Sequence, residues 1–258
     1  MPEHAIVGVD FSPGWDRLRR RLGVLPRLGV RRISLVHVLG GHYPAAPEVR
    51  HREHYERRLD EEAVALRTLG AEVDHQVRVG DPARELVHAA SELGADLVVV
   101  GSAGHTPLRD AVLGNIAIDV VRYGPLPTLL VPLGDDIAPG GGGVVLGTDG
   151  SGAARAAEDL ARRLAERLPL VVVTVVRDGD AGSALADDAG TFAVDGSRAE
   201  VLVRHGRPSE QIARVADERS ADVVIVGRRG RNPVTDLFIG STAEHLIART
   251  RRPVLVGA

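Results

Sequence analysis

The chain has 258 residues, of which 44% are hydrophobic and 26% are charged, a composition typical of globular proteins. A formal net charge of -3 offers no overall basic field for nucleic acid, and the absence of cysteine excludes disulfides, thiol nucleophiles and cysteine-ligated metal centres. All 32 basic residues are arginine, so no lysine is present for a Schiff base or a Walker-type loop. The sequence predicts neither a signal peptide nor an apolar run of the ~20 residues that cross a membrane.

The first half of the chain alternates apolar strands with helical patterns whose apolar residues are spaced by three and four. One such helical pattern is Ala83–Leu93, and a longer, charged one is Pro47–Leu69. Continuous runs of Val, Leu and Ile are typical of parallel strands that are buried on both faces. The predicted strands lie near Ala5–Val9, Ile33–Val38, Glu72–Val79, Leu97–Val100 and Thr128–Val131.

The second half repeats the first. Residues Arg78–Pro132 align without a gap on Arg204–Ala258, at a shift of 126 positions, and Ala5–Ser12 resembles Val144–Ser151 at a shift of 139. Shared glycines and prolines are informative because they mark special backbone conformations. The repeated pairs include Gly80/Gly206, Pro82/Pro208, Asp96/Asp222 and Pro127/Pro253. The strands of the second half are predicted near Val144–Thr148, Leu170–Val176, Glu200–His205, Val223–Val226 and Val254–Val256.

This duplication predicts two α/β domains, 1–133 and 143–258, joined by a Gly/Pro-rich linker at 134–142. Alternating strands and helices predict, in each domain, a five-stranded parallel sheet with right-handed crossovers and helices on both faces, a Rossmann-like architecture. The helix of the second crossover is predicted to be short, irregular or missing in the second domain, because Arg177–Arg198 is rich in Gly, Asp and Ser.

Each half carries a glycine loop, G-x2-G-x9-G, directly after its fourth strand. A glycine at the end of a strand permits a sharp turn and close approach of a ligand, and the last glycine opens a helix whose free N–H groups suit a phosphate. In open parallel sheets, ligands bind at this edge, beside the point where the strand order reverses. A strand–turn–helix connection with no ligand is the alternative. An aspartate after the first strand of each half, Asp10 or Asp149, strengthens the pattern because it also recurs.

Together, these motifs resemble the universal stress protein family in a tandem arrangement, over nearly the whole chain. The resemblance implies an adenine-nucleotide-binding α/β fold in which the aspartates and strand-two residues lie by the base, and the glycine loops surround ribose and phosphates. The first half departs from the family pattern, because Asn115 stands where Ser or Thr is expected. For each aspartate, a turn or a helix cap is the alternative role. The implied nucleotide-binding residues are Asp10, Val38, Gly101, Gly104, Gly114, Asn115, Asp149, Val175, Gly227, Arg228, Gly230, Arg231, Gly240, Ser241 and Thr242.

By this resemblance, the protein is expected to be a bacterial, cytoplasmic stress-response regulator that binds ATP, with Mg²⁺ as an accompanying ion, without efficient catalysis. The alternatives are a nucleotide-free interaction protein of the same fold and a slow ATPase or phosphotransferase. ATP, AMP and a cyclic nucleotide all remain open as the ligand. No catalytic residue is assigned, because no base or nucleophile is evidently arranged for chemistry. No metal site is assigned, because His51 and His54 lie in a charged, exposed helical pattern. Neither nucleic acid nor membrane is expected as a partner.

The two halves are predicted to differ as sites. Arg228, Arg229 and Arg231 flank the second loop, and arginine suits phosphate oxygens, so the second half is expected to bind nucleotide more tightly. Solvated loop residues are the alternative. The last strands of the halves are predicted to pair within the chain, because pairing covers two edges that would otherwise invite association. This gives a pseudo-twofold monomer, with further dimerisation left open.

Overall fold

The computed structural model describes residues 1–40, 45–102, 114–134, 140–176, 199–229 and 239–257, with the side chains of 45–51 left aside. The strands are β1 His4–Gly8, β2 Arg32–Leu39, β3 Glu72–Val79, β4 Leu97–Gly101, β5 Thr128–Val131, β6 Val144–Gly147, β7 Leu170–Val176, β8 Ala199–His205, β9 Val223–Gly227 and β10 Val254–Gly257. The helices are α1 Pro13–Arg21, α2 Val24–Arg27, α3 Ala45–Leu66, α4 Pro82–Glu92, α5 Asn115–Tyr123, α6 Arg155–Ala165, α7 Pro208–Glu218 and α8 Ser241–Arg249, with short 3₁₀ turns at Arg67–Leu69 and Gly152–Ala154.

All the described strands form one ten-stranded sheet in the order β3-β2-β1-β4-β5-β10-β9-β6-β7-β8. Each half contributes five parallel strands, as predicted. The predicted pairing of the last strands is also observed, since β5 and β10 are antiparallel neighbours with Leu129 opposite Leu255. The order on one side of this pair mirrors the order on the other. The C-terminal ends of the two sets of strands therefore lie at opposite edges of the sheet.

Helices cover both faces of the sheet. The apolar core on one face is formed with α1, α2, α3 and α6, and the core on the other face with α4, α5, α7 and α8. The strands supply both cores by alternation: in β1, Ala5 and Val7 face the first core, whereas Ile6 faces the second. The long charged pattern of the first half is α3 followed by a 3₁₀ turn, as expected. Its counterpart, 177–198, lies outside the described residues.

The repeated residues outside the loops have structural roles. Asp96 accepts hydrogen bonds from the N–H groups of Glu3 and His4 (2.7 and 2.9 Å), where β1 begins. Asp222 has the equivalent role in the second half, where its carboxylate accepts a hydrogen bond from the Gly143 N–H (3.0 Å) just before β6 begins. Each aspartate therefore fixes the entry of the chain into the first strand of its half.

The described end of the predicted linker packs closely on the second half. The Gly142 N–H donates to the Ser220 carbonyl oxygen at 3.0 Å, and a Cβ at Gly142 would collide with the carbonyl oxygen of Arg219. Arg27, from α2 of the first half, donates to the buried Asp222 carboxylate at 2.9 Å. Glycine is thus required for close approach at Gly142, and a cross-half ion pair holds this end of the segment. The domain bounds themselves remain a prediction.

Candidate functional site

The strand order reverses between β1 and β4 in the first half and between β6 and β9 in the second. At these two points, the aspartates follow β1 and β6, and the first loop glycines end β4 and β9. Crevices of this kind are the usual ligand sites of open parallel sheets. Each half therefore brings its aspartate and the first glycine of its loop, Gly101 or Gly227, to one crevice.

Both aspartates stabilise the turns in which they lie. Asp10 Oδ1 accepts from the Ser12 N–H, and Asp149 Oδ1 accepts from the Ser151 N–H, both at 3.0 Å. This bond to the backbone two residues ahead is the Asx turn that aspartate commonly forms. The turn role, which was the alternative to a nucleotide contact, is therefore present in both halves. It occupies one carboxylate oxygen of each aspartate.

The residue after each aspartate has a left-handed backbone, with φ of 53° at Phe11 and 68° at Gly150. Glycine adopts this conformation freely, whereas a residue with a side chain is strained there by roughly 1–2 kcal/mol. Phe11 therefore has a local cost that its counterpart lacks. Contacts of its aromatic ring must offset that cost.

Those contacts form an aromatic cluster of Phe11, His37 and Tyr55. The ring centroids of Phe11 lie 5.1 Å from His37 and 5.6 Å from Tyr55, and the Arg58 guanidinium carbon lies 4.0 Å from the Phe11 centroid. A cation over an aromatic face and close ring pairs each contribute about 0.5–1.5 kcal/mol. The strain at Phe11 is thus matched by packing with β2 and α3.

His37 fixes one side of this cluster. It is buried, and its Nδ1 donates to the Val9 carbonyl oxygen at 2.7 Å. Burial lowers the pKa of His37 below its ordinary value, so the ring is held in the neutral form. The next residue along β2 is Val38, the predicted strand-two contact, and its counterpart in β7 is Val175. Both valines are partly exposed.

The glycine loops are closed in the same way in both halves. The Gly114 N–H donates to the Ser102 carbonyl oxygen (2.9 Å), and the Gly240 N–H donates to the Arg228 carbonyl oxygen (2.8 Å). Gly227 is tightly enclosed, because a Cβ there would lie 3.0 Å from the Arg229 carbonyl oxygen. Gly101 is also enclosed, by the Leu133 side chain at 2.9 Å. The loop residues Gly104, Gly230 and Arg231 lie outside the described residues.

Each loop ends at the N-terminus of a helix. Gly114 and Gly240 are the N-cap residues, with nearly identical backbones (φ -63°, ψ 141° and 143°), and neither helix has a side-chain cap. Asn115 and Ser241 are the first helical residues. The first N–H groups of a helix lack partners within the helix and carry its positive dipole end, so both positions can receive an anion.

A cleft of about 590 Å³ opens beside this helix end in the second half. It lies between the N-termini of α7 and α8, and Ser241 and Thr242 line it. The other lining residues include Arg207, His245 and Arg249, which the sequence reasoning missed. The spacing of Ser241, His245 and Arg249 by four residues could have shown that they share one face of α8.

The Arg228 side chain, predicted to be a nucleotide contact, reaches the first half of the chain. Its guanidinium donates to the carbonyl oxygens of Val121 and Gly124, both at 3.2 Å, at the C-terminal end of α5 in the first half. The carbonyls at a helix C-terminus attract a cation, which explains this orientation. The backbone of Arg228 closes the second loop, while its side chain contacts the other half.

Comparison with known proteins agrees with this architecture. The family model described as "Universal stress protein family" matches residues 1–132 and 191–256. The chain belongs to the universal stress protein family. A universal stress protein of Mycolicibacterium smegmatis is 27% identical over 97% of this chain and 95% of that protein. One of Mycobacterium tuberculosis is 26% identical over the same shares.

The fold of this family member is also seen in a solved structure. A universal stress protein from Archaeoglobus fulgidus has a TM-score of 0.78 at 23% identity, covering 98% of this chain and 95% of that one. Another universal stress protein, solved in complex with cAMP, has a TM-score of 0.42 at 22% identity and covers 52% of this chain. Nothing in the described part of the chain is a helix long and apolar enough to cross a membrane. The same residues contain no group of three or more His, Asp or Glu side chains placed to hold a metal ion.

Proposed function

We propose that this universal stress protein binds an adenine nucleotide, ATP in the first instance, at the C-terminal ends of the strands in each half, and acts as a cytoplasmic stress-response regulator without efficient turnover. The observation that carries the proposal is the closed glycine loop that ends at an uncapped helix N-terminus in both halves. Such an end offers N–H donors and a positive dipole to phosphate oxygens. In the second half, Ser241 and Thr242 add hydroxyl groups.

The base is proposed to lie at the other end of each crevice, over the ends of the first and second strands. The side chains of Asp10 and Asp149 and the strand-two backbones at Val38 and Val175 are its proposed contacts there. The glycines Gly101, Gly114, Gly227 and Gly240, with Gly104 and Gly230 from the rest of the loops, are proposed around ribose and phosphates. Magnesium would accompany the phosphates and neutralise part of their negative charge.

We propose that turnover is inefficient because the carboxylates nearest the site, Asp10 and Asp149, already accept hydrogen bonds from the backbone. Asp10 and Asp149, the acidic groups that follow β1 and β6, each use an oxygen in their own turn. A general base must lie within hydrogen-bonding reach of the proton that it removes. Neither aspartate is therefore set up as a base toward a water at the distant phosphate end.

The decisive experiment places a negative charge at the phosphate end. Ser241→Asp and Asn115→Asp each add a carboxylate in the first turn of a helix, where it stabilises the helix by about 0.3–1 kcal/mol. A phosphate at about 4 Å would be repelled by roughly 1 kcal/mol in water and roughly 4 kcal/mol at an effective dielectric constant of 20. Affinity at the altered site should fall roughly 5-fold to 1000-fold while the folded state is retained.

Isothermal titration with ATP, AMP and cAMP, each with Mg²⁺, gives the ligand and the stoichiometry. The double variant Ser241→Asp/Asn115→Asp should bind the nucleotide roughly 5-fold to 1000-fold more weakly at both sites. Ser91→Asp, the same change at an exposed position near the C-terminal end of α4, is the matched control and should bind like the wild type. Wild-type protein that binds no nucleotide would favour an interaction protein of this fold. Phosphate release that is much faster in the wild type than in the double variant would instead identify an ATPase.

A further inference from the structure

The turn after β6 in the second half is tied to the following helix by a buried carboxylate. Thr148 Oγ1 donates a hydrogen bond to Glu158 Oε1 of α6 at 2.6 Å, and it accepts one from the Gly150 N–H at 3.1 Å. We propose that Glu158 is a positioning residue of the second site: acting through Thr148, it holds the turn that presents Asp149 to the base. This inference rests on the proposed function, because it concerns how the proposed base contact is oriented.

The turn of the second half needs such a restraint more than its counterpart does. In the first half, the left-handed residue of the turn is Phe11, whose ring packs against His37 and Tyr55. In the second half that residue is Gly150, which has no side chain to anchor it, and glycine has the greatest backbone freedom of any residue. A loose turn would have to be ordered when the nucleotide binds, and this ordering reduces affinity. The hydrogen bond from the Gly150 N–H to Thr148 orders the turn before the ligand arrives.

Glu158 occupies a position where packing alone would favour an apolar residue. It is buried, and Ala157 and Ala161 of the same helix lie in the apolar core. A buried carboxylate has a desolvation cost that close hydrogen bonds or ion pairs must offset. The Arg162 guanidinium is 3.8 Å away, which is too long for a hydrogen bond. The short bond from the Thr148 hydroxyl is of the strong kind that an ionised acceptor makes, and it connects this carboxylate to the turn.

The equivalent positions of the first half carry residues that cannot form this connection. Val9 stands at the position of Thr148 and has no hydroxyl group. Arg19 stands at the position of Glu158, at the same shift of 139, and its guanidinium pairs with Glu62 of α3 at 3.3 Å. The connection from helix to turn is therefore possible in the second half only, and the first half serves as an internal control.

A paired apolar replacement tests the inference. Thr148→Val/Glu158→Leu removes both partners together, and apolar replacement of a buried charge is often neutral, so the urea midpoint should stay the same or rise. Titration with ATP and Mg²⁺, in an Asn115→Asp background that weakens the first site, should show affinity lowered by about 3-fold to 10-fold, the effect of one hydrogen bond. Glu158→Gln keeps an acceptor for the hydroxyl and should restore most of this affinity. Asp159→Asn, at the adjacent exposed position of α6, is the matched control and should bind like the wild type.

Two further readouts separate a positioning role from a structural one. In a Ser241→Asp background, which weakens the second site, Thr148→Val/Glu158→Leu should leave the affinity of the first site unchanged. In an Asp149→Ala background, the same pair of changes should cause little further loss at the second site, because Glu158 acts through the turn that holds this aspartate. Such non-additivity is the sign of residues that act as one unit.

Several results would overturn the inference while leaving nucleotide binding intact. These are an unchanged second-site affinity in Thr148→Val/Glu158→Leu, or a loss that simply adds to the loss caused by Asp149→Ala. Equal losses at both sites, together with a lower urea midpoint, would assign Glu158 a purely structural role. A wild-type chain that binds no nucleotide would refute the proposed function itself, which is a distinguishable outcome.

Discussion

Replacement of Arg228 by serine, the residue at the equivalent position 102 of the first half, should weaken the contact between the halves. Arg228 donates two 3.2 Å hydrogen bonds to carbonyl oxygens at the end of α5. Hydrogen bonds from a charged donor contribute roughly 1.5–3 kcal/mol each at good geometry, and a cation at a helix C-terminus roughly 0.3–1 kcal/mol. Because both bonds are long, we expect a loss of about 1–2 kcal/mol in the free energy of unfolding.

Urea unfolding at neutral pH measures this loss, which corresponds to a fall in melting temperature of about 2–8 °C for a chain of this size. Arg207→Ser is the matched control, since Arg207 is 79% exposed and its 3.4 Å pair with Glu210 is a surface ion pair. Such pairs contribute little, so this control should cost less than about 0.5 kcal/mol. Amide exchange in α5 should increase in Arg228→Ser alone. Equal stabilities for the two variants, with α5 exchange unchanged, would refute the helix-capping role of Arg228.

Two other changes test the packing directly. Asp222→Asn should destabilise the protein by about 1–3 kcal/mol in urea unfolding, because the buried carboxylate accepts a hydrogen bond from the Gly143 N–H and pairs with Arg27. A loss no larger than that of an exposed Asp→Asn change would contradict this role. Acidification should also destabilise the protein, because burial lowers the pKa of His37. Below pH 6.5 the unfolded chain takes up a proton at this histidine, whereas the folded protein keeps the ring neutral. The free energy of unfolding therefore falls as the pH decreases from 6.5 through the folded-state pKa. His37→Asn keeps a donor for the Val9 carbonyl oxygen and should reduce this pH dependence of the urea midpoint between pH 7 and 5; an unchanged slope would show that other groups, such as the buried His4, are responsible.

The fold was predictable from the sequence because the apolar runs, the helical spacing and the repeated turn residues all indicated the same two α/β units. Continuous Val/Leu/Ile runs specified buried parallel strands, and the repeated glycines and prolines specified the same turns twice. Gly80 and Gly206, for instance, both adopt positive φ, of 148° and 113°, before helices that open with proline. The pairing of β5 with β10 followed from the need to cover two strand edges.

The candidate site was predictable only where residue positions follow from local backbone turns. The aspartates and the first loop glycines, Gly101 and Gly227, lie at strand ends, because their positions depend on local turns. The contact of Arg228 with α5 could not be predicted, since it depends on how the antiparallel pair brings one half against the other. The aromatic cluster was missed for a similar reason: Phe11, His37 and Tyr55 are distant in sequence, and α3 brings them together.

The duplication explains why equivalent positions have acquired different roles. The antiparallel junction places the C-terminal strand ends of one half at the same edge as the N-terminal strand ends of the other. The end of α5 therefore lies beside the second loop, where Arg228 can reach it, and α5 begins at the first loop with Asn115. Position 102 carries serine, so an equivalent arginine contact is not available in the opposite direction. A symmetric backbone thus supports an asymmetric protein, in which one helix extends from the loop of the first crevice to a side chain of the second.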